Sequence, residues 1–482
     1  MIDMKKIFTT LFFAAVCVGC SDILEEKPKS LASENFYNTA AEAKAAVNAI
    51  YGPMRLDAAL STNYPAQLEG LADYGNSRGT QTAVSLYQGL DNTNINRVAT
   101  IWDNFYQSIR NANLVIANVP KGTSMTDAEK ASFVAEAKYM RALIYFALVR
   151  NWAGVPLRTE ENMTVTDIPR SSVEDVYKLI VADALAAEAG LPDNPSEIGR
   201  PTKWAAKTML SEVYLYLEKW EESRAKAKEV IDSKKYSLVA VTVSEDFQKI
   251  YGPEVVNTPE EIFYFKYSRQ QGFGLVSYAH RKIGQYNYYG PGGVYAQYTD
   301  SVSNSVIKNW DFKDLRKNHI LYNVDIGLGA TSMLYRKYRD PLATSGAGND
   351  YPWYRYADLL LFHAEADARA NGKPTADGLE SLNKVHRRAY GKPAEAASTV
   401  DFKLADFATT QTYIDKVVQE RGYETMYEGK RWNDLKRLGI AKQRILEVKN
   451  IVVAEKHMLW PIPNSEILYN KAITAKDQNP GY

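Results

Sequence analysis

The chain has 482 residues, 45% of them hydrophobic and 24% charged, so it can bury a large core. Its formal net charge is +1, and Lys and Arg are interleaved with Asp and Glu, which argues against a basic surface for nucleic acid. Both cysteines lie in the first twenty residues, so the remainder can form neither a disulfide framework nor a thiolate metal site.

The N-terminus has the pattern of a lipoprotein signal peptide. Two lysines precede an apolar run, residues 7–18, that is too short to cross a bilayer core of ~30 Å as a helix. The run ends in Cys-Val-Gly-Cys, which resembles a lipobox, where a small residue precedes the lipidated cysteine. The sequence therefore predicts a cleaved signal peptide over residues 1–19, a lipid on Cys20 and a tether over residues 20–32. Ordinary secretory cleavage next to an incidental cysteine is the alternative.

Amphipathic helical segments alternate with irregular, aromatic-rich segments along the mature chain. Apolar residues at helical spacing predict helices within residues 33–60 and 97–119, and residues 127–152 have the clearest helical pattern. Gly, Asn, Thr and Tyr interrupt the pattern over residues 61–96, which predicts a loop there.

Two later segments predict pairs of antiparallel helices. Within residues 201–236, Ser211 and Ser223 match small-residue positions of a tetratricopeptide unit. Ala364 and Ala376 take similar positions in the second segment. Small residues there let two helices approach closely.

The segment between the two helix pairs, residues 236–352, has little periodicity apart from a predicted strand at residues 262–267. Irregular stretches of this length usually carry function or form a binding face. Several of the chain's 33 tyrosines lie in it. The segment is therefore the first place to look for a ligand site.

Four long sequence blocks follow one another in the mature chain. They are EAKYMRALIYFALVRNWAGVPL, DYPWYRYADLLLFHAEADARANG, ERGYETMYEGKRWNDLKRLG and LWPIPNSEILYNKAITAKDQNPGY. In content and order they resemble the signature blocks of the SusD/RagB family, with Lys138 and Ala153 standing where Arg and Gly are common. The resemblance implies a mainly α fold over residues 33–482, with parts at about 33–235 and 236–482. This fold is a single body of tetratricopeptide-like helix pairs, a right-handed superhelix, supporting a loop-rich half with a few short strands.

The same resemblance implies a role in nutrient uptake. Family members bind oligosaccharide, or peptide in some cases, at the cell surface and act as a lid on a SusC-like TonB-dependent transporter. For this chain it implies an outer-membrane lipoprotein facing outward, a glycan ligand, a SusC-like partner, no cofactor and no catalysis. A peptide-binding uptake lipoprotein and a surface glycosidase remain as alternatives.

Charged and aromatic residues of the helical segments are predicted to be structural rather than ligand-binding. They lie on helices that also carry apolar stripes, where ion pairs and core packing are the usual roles. They are Arg141, Glu365, Arg421, Glu424, Glu428, Arg431, Asp434, Trp102 and Trp152.

Sugar recognition needs flat aromatic rings that cover the C–H face of a pyranose, with Asn, Gln, Asp or Arg bonding to its hydroxyls. Two irregular segments offer this combination. The predicted ligand contacts are Tyr74, Arg78 and Tyr87 in the first segment, and Tyr286, Asn287, Tyr288, Tyr289 and Tyr295 in the second. We expect only some of these rings to face ligand, since others must pack the loops against the helices.

One motif is compatible with catalysis. Residues 75–79 fit G-x-S-x-G, the nucleophile elbow, which needs a buried strand before the Ser and a helix after it. The flanking sequence predicts neither element, and the five histidines are scattered along the chain. The sequence therefore predicts no hydrolase.

Overall fold

The computed structural model describes residues 36–270, 274–275, 286–290, 296–344 and 346–482, and this part of the chain is mainly α-helical. The first helices are α1 (Ala40–Arg55), α2 (Asn63–Gly70), α3 (Thr82–Ser85), α4 (Asn92–Asn118), α5 (Asp127–Trp152), α6 (Val173–Gly190), α7 (Lys203–Tyr216) and α8 (Trp220–Asp232). The later helices are α9 (Gln248–Tyr251), α10 (Ser305–Lys308), α11 (Leu315–Ile320), α12 (Tyr356–Ala370), α13 (Ala376–Ala389), α14 (Thr410–Glu424), α15 (Arg431–Arg437), α16 (Ala441–Lys449) and α17 (Asn464–Tyr469).

Local signals explain where the long helix α5 begins and ends. Thr126 caps its first turn, and Glu129 bonds back to the backbone of Thr126, which completes a capping box. The helix ends at Ala153, whose φ of 62° is a conformation that favours glycine. The predicted helix over residues 127–152 is confirmed.

The long helices pack side by side in sequence order, so each contacts the one before it and the one after it. Contacts join α1 to α4, α4 to α5, α5 to α6, α6 to α7, α7 to α8, α8 to α12 and α12 to α13. This arrangement confirms the predicted mainly α fold of helix pairs. Among the described residues, no helix combines the length and apolar character needed to cross a bilayer.

Small residues at the helix crossings were predicted correctly in one pair and only partly in the other. Buried Ser211 and Ser223 each donate a hydroxyl hydrogen bond to the other's carbonyl oxygen, at 3.0 and 2.8 Å. Ala364 is also fully buried. Ala376 is exposed, however. The residue of α13 that lies closest to α12 is instead Gly378, where a Cβ would lie 2.5 Å from a carboxylate oxygen of Asp367.

The predicted loop over residues 61–96 is wrong at α2, at α3 and at the first turn of α4, which begins at Asn92. Helix α2 has only eight residues, too few to be stable from propensity alone. Its stability comes from tertiary packing, because Tyr64 and Leu68 are 2% and 1% exposed in the core.

The strands form two small antiparallel sheets. They are β1 (Asn76–Ser77), β2 (Glu261–Phe265), β3 (Gln297–Asp300), β4 (Leu321–Asn323), β5 (Ser332–Tyr335) and β6 (Tyr351–Arg355). One sheet has the order β1-β3-β5-β4, and β2 pairs with β6 in the other. The strand predicted at residues 262–267 is confirmed, although it begins one residue earlier, at Glu261, and ends two residues earlier, at Phe265. Side chains alternate along β4 and β5, so the four-stranded sheet packs a different cluster on each face.

Aromatic residues predicted to be structural lie in the main core. Trp102 and Trp152 are 2% and 0% exposed, with ring centroids 5.5 Å apart. The indole of Trp152 donates a hydrogen bond of 2.8 Å to the carbonyl of Pro461, which ties α5 to the C-terminal segment. The predicted core role of both tryptophans is confirmed.

A buried network of arginines and carboxylates joins the helices to the sheets. Fully buried Arg355 pairs with Glu260, Glu424 and Glu428 at 3.0, 2.8 and 2.8 Å. Burial opposes ionisation of Glu424, but Arg388, Arg355 and Arg316 together hold its pKa well below the usual range. The other charged residues predicted to be structural are also buried and paired, which confirms that prediction. These pairs are Arg141 with Asp183, Glu365 with Arg437, Arg421 with Asp358 and Asp434, and Arg431 with Asp73.

We expect Glu424→Ala to lower the free energy of unfolding by about 3–5 kcal/mol, because it leaves buried arginines without a partner. Glu174→Ala is the control, since Glu174 lies exposed on α6 and forms a surface ion pair with Lys178. The control should cost less than about 1 kcal/mol. Chemical denaturation of both variants measures the difference, and similar costs for the two would contradict the structural role of the network.

Candidate functional site

The first predicted ligand segment is largely internal. Tyr74 is 1% exposed, and its hydroxyl donates a hydrogen bond of 2.7 Å to the carboxylate of Glu69. Tyr87 is also buried, and its hydroxyl donates to the carbonyl of Leu71. Because both rings pack inside the fold with their hydroxyls bonded, the structure corrects the sequence prediction for these two residues.

The second predicted ligand segment also contains a buried tyrosine. Tyr289 is buried against Ala343 and Ala347, and its hydroxyl donates to the carbonyl of Leu275 at 2.9 Å. It is therefore also removed from the candidate contacts. Tyr295 and the lipidation site Cys20 lie outside the described residues, so both stay predictions.

The remaining predicted residues are brought together by the four-stranded sheet. Asn76 on β1 pairs with Tyr298 on β3, and the backbone N–H of Arg78 donates to the carbonyl of Ala296 at 2.7 Å. The guanidinium of Arg78 donates to the carbonyl of Ile326 at 3.1 Å. Two segments that are two hundred residues apart in sequence thus meet on one side of the sheet.

Tyr286 and Tyr288 form the aromatic part of this surface. Both rings are half-buried, and their centroids lie 5.1 and 4.9 Å from that of Tyr322 on β4. Asn287, between them, is exposed. The sheet therefore holds two partly exposed rings and an amide in a fixed arrangement. We call Arg78, Tyr286, Asn287, Tyr288 and Tyr298 the tyrosine face.

Two arginines that the sequence prediction missed orient this face. Arg336 donates to the hydroxyl of Tyr288 at 2.6 Å, and its guanidinium lies 5.3 Å from the centre of that ring. Arg339 lies 5.4 Å from the same ring and is held by Glu245. Cation–π contacts of this kind restrict ring orientation. The only signal in the sequence that could have found these two arginines is their position in the segment that follows β5.

His319 lies behind the arginines, fully buried between the rings of Phe247 and Tyr251. Neither ring nitrogen has a hydrogen-bond partner among the residues that the structure describes. Burial lowers the pKa of His319 well below its ordinary value of 6.5, and the charges of Arg339, Lys337 and Arg336 lower it further, against a smaller opposing effect of Glu424. The imidazole is therefore neutral in the folded protein.

The arrangement suits binding better than chemistry. Half-exposed rings can stack on a sugar, while the Asn287 amide offers both a donor and acceptors for hydroxyl groups. Ser77 of the G-x-S-x-G motif lies on the two-residue strand β1, buried and in an antiparallel pair, followed by a 3-10 turn. Ser77 is itself the last residue of this strand, and the helix that follows the turn, α3, has only four residues, so the long buried strand and the helix of a nucleophile elbow are not formed around this motif.

Comparisons with known proteins identify the relatives of this chain. A family model described as starch-binding associating with outer membrane matches residues 22–215, and one described as the SusD family matches residues 284–482. The SusD-like protein P2 of Formosa agariphila is 26% identical, covering 99% of this chain and all of that protein. A SusD homolog from Bacteroides thetaiotaomicron, 21% identical, has a TM-score of 0.80 over 93% of this chain and 98% of its own. A structure described as a laminarin binding SusD-like protein, 23% identical, has a TM-score of 0.72 over 92% and 100%.

We expect His319→Phe to weaken the dependence of stability on acid pH. Because the pKa of buried His319 lies below 6.5, the unfolded chain binds a proton that the folded chain does not, so stability is lost as pH falls below 6.5. Phenylalanine keeps the stacked geometry without the proton. When the pH is lowered from 7.5 to 5, the free energy of unfolding should fall in the variant by up to about 2 kcal/mol less than in the parent. Chemical denaturation at the two pH values measures this difference. Equal losses in the two proteins would contradict this assignment.

Proposed function

Since the chain belongs to the SusD/RagB family, we propose that it binds oligosaccharide or polysaccharide at the cell surface. The bound glycan is then passed to a SusC-like TonB-dependent transporter, and the protein performs no chemistry itself. The printed descriptions of the matching family model and of the laminarin binding relative support a carbohydrate ligand.

The tyrosine face is the observation on which the proposal rests. Tyr286 and Tyr288 are the predicted ligand rings that the structure leaves half exposed, with exposed Asn287 between them. Each good aromatic contact contributes roughly 0.5–1.5 kcal/mol beyond the area it buries. An open face with two rings and a few hydrogen bonds should therefore bind a short glycan in the micromolar to millimolar range, about −8 to −4 kcal/mol.

Location follows from the leader and the family. The family model that matches the N-terminal half is described as associating with outer membrane. A lipid on Cys20, followed by the tether, would hold the protein at that membrane with the tyrosine face free to meet glycan outside the cell. A surface anchor brings the binding protein close to its transporter and raises the effective concentration of ligand there.

The experiment is a glycan array probed with the soluble form that lacks residues 1–20. We expect Tyr286→Ala combined with Tyr288→Ala to lose at least about tenfold in affinity, because each ring removed costs one stacking contact. Stability should change by only about 1 kcal/mol, since both rings are half exposed.

Tyr469→Ala is the matched control, because Tyr469 is 82% exposed on α17, outside the tyrosine face. This variant should bind as the parent does. Unchanged binding by the double variant would move the site elsewhere. Binding of peptides alone, or release of reducing ends from a bound glycan, would replace the proposal with peptide uptake or glycosidase activity.

The lipid anchor is tested separately. We expect Cys20→Ala to abolish incorporation of a fatty-acid analogue during metabolic labelling and to release the protein from membranes. Cys17→Ala is the control and should remain labelled. Continued labelling of the Cys20 variant would contradict the lipobox assignment.

A further inference from the structure

Among the described residues, Arg336 beside the tyrosine face has no carboxylate partner. Its guanidinium donates from Nη1 to the hydroxyl of Tyr288 and from Nη2 to the carbonyl of Asn318, each at 2.6 Å. Its Nε–H group is buried and has no hydrogen-bond partner in the described part of the chain. The positive charge of Arg336 is therefore held in place by neutral groups but is not neutralised.

The carboxylates around this guanidinium are paired with other cations. Glu245 pairs with Arg339, which contacts the same tyrosine ring as Arg336 does. The backbone N–H of Asp340 donates to the carbonyl of Tyr288 at 2.7 Å, but the Asp340 carboxylate accepts two hydrogen bonds from Arg269, at 3.0 and 2.8 Å. Neither carboxylate is therefore committed to Arg336.

Two more carboxylates of the four-stranded sheet hold their own turns. Asp300 accepts from the backbone N–H of Ser303 at 2.7 Å, and Asp325 accepts from that of Gly327 at 2.8 Å. The internal segments outside the described residues contain neither Asp nor Glu, so they cannot supply a carboxylate either. These segments are residues 271–273, 276–285, 291–295 and 345.

A second guanidinium lies against the same ring. The guanidinium carbons of Arg336 and Arg339 lie 5.3 and 5.4 Å from the centre of the Tyr288 ring. Burial lowers the pKa of Arg339, and the charge of Arg336 lowers it further, against the opposing effect of Glu245. Two like charges held this close favour a bound anion, because both attract it.

The uncompensated charge lies where a sugar is proposed to bind. Tyr288 is half-buried, and its bond to Nη1 places the Arg336 guanidinium at the hydroxyl edge of the ring. A sugar stacked on this ring would present its rim substituents at that edge. The N–H groups of a guanidinium form a fork that matches the oxygens of a carboxylate or a sulfate.

We propose that the tyrosine face binds an acidic glycan, whose carboxylate or sulfate group is bound by Arg336. The inference rests on the proposed function, since it names the class of glycan at the same site. A neutral glycan leaves the charge of Arg336 unpaired, whereas an acidic one adds a charge-assisted hydrogen bond.

The test is an array of matched pairs, probed with the form that lacks residues 1–20. Hexamers of galacturonate, mannuronate and glucuronate stand beside their neutral methyl esters, and a sulfated galactan hexamer stands beside its desulfated form. We expect an acidic hexamer to give the strongest signal and to bind at least about tenfold more weakly after esterification or desulfation. The arm that responds distinguishes carboxylate from sulfate. A stronger signal from a neutral hexamer, or from a hexaglutamate peptide, would overturn the inference.

Variants of Arg336 separate ligand binding from ring orientation. We expect Arg336→Gln to weaken binding of the acidic hexamer at least about tenfold and to leave binding of its neutral partner unchanged. Equal weakening of both would show that Arg336 only orients Tyr288. Arg336→Lys keeps the charge without the fork and should recover part of the loss. Arg110→Gln removes the same charge from an exposed position on α4, outside the tyrosine face, and should bind as the parent does.

A gain of binding provides an independent test. We expect Glu245→Gln to bind the acidic hexamer about threefold more tightly, because it removes the carboxylate that is paired with Arg339. The side chain of Glu245 is 61% exposed, so this substitution should leave the fold intact. Unchanged or weaker binding of the acidic hexamer would contradict the inference.

The outcomes distinguish this inference from the proposed function. Equal binding of acidic and neutral hexamers, lost when Tyr286→Ala is combined with Tyr288→Ala, would overturn the acidic ligand and leave the proposed function intact. No hexamer bound, together with no signal on the glycan array, would overturn both.

Discussion

The buried pairing of Arg355 with its three carboxylates is the constraint on which the rest of this structure depends. It joins β6, the residue before β2 and the C-terminal end of α14, so it fixes the helices against the sheets. An ionised group without a partner at such depth is strongly unfavourable. Loss of one member of the network would therefore leave the other members buried and unpaired. Arg355, Glu424 and Glu428 lie in two of the four signature blocks of the sequence, whereas Glu260 lies outside them.

The same network reaches the candidate site through Lys337. Its ammonium group is buried, bonded at 2.5 Å to Glu428 and at 2.9 Å to the carbonyl of Met426. Burial lowers the pKa of Lys337 to about 8, against the opposing effect of Glu428. Because Lys337 is held here, its neighbour Arg336 is positioned to contact Tyr288. The buried scaffold therefore helps to orient the tyrosine face.

The properties of tyrosine explain why the proposed ligand residues were harder to predict than the scaffold. Its ring can pack in a core while its hydroxyl bonds to a polar group, so composition does not distinguish a buried tyrosine from an exposed one. Tyr74, Tyr87 and Tyr289 all satisfy their hydroxyls inside the fold. Tyr286 and Tyr288 pack against Tyr322 of β4 and remain half exposed.

The sequence by itself determined the helix pairs, the structural role of the charged blocks and the family, because helical periodicity and signature motifs are local. It also directed the search for ligand residues to irregular stretches, where backbone is free to form a surface. Only the tertiary structure decided which tyrosines are exposed, that Arg78 bonds to Ile326 in the cluster on which Tyr286 packs, and that Arg336 and Arg339 contact Tyr288. Those facts depend on strand pairing between residues hundreds of positions apart, and no local pattern specifies that pairing.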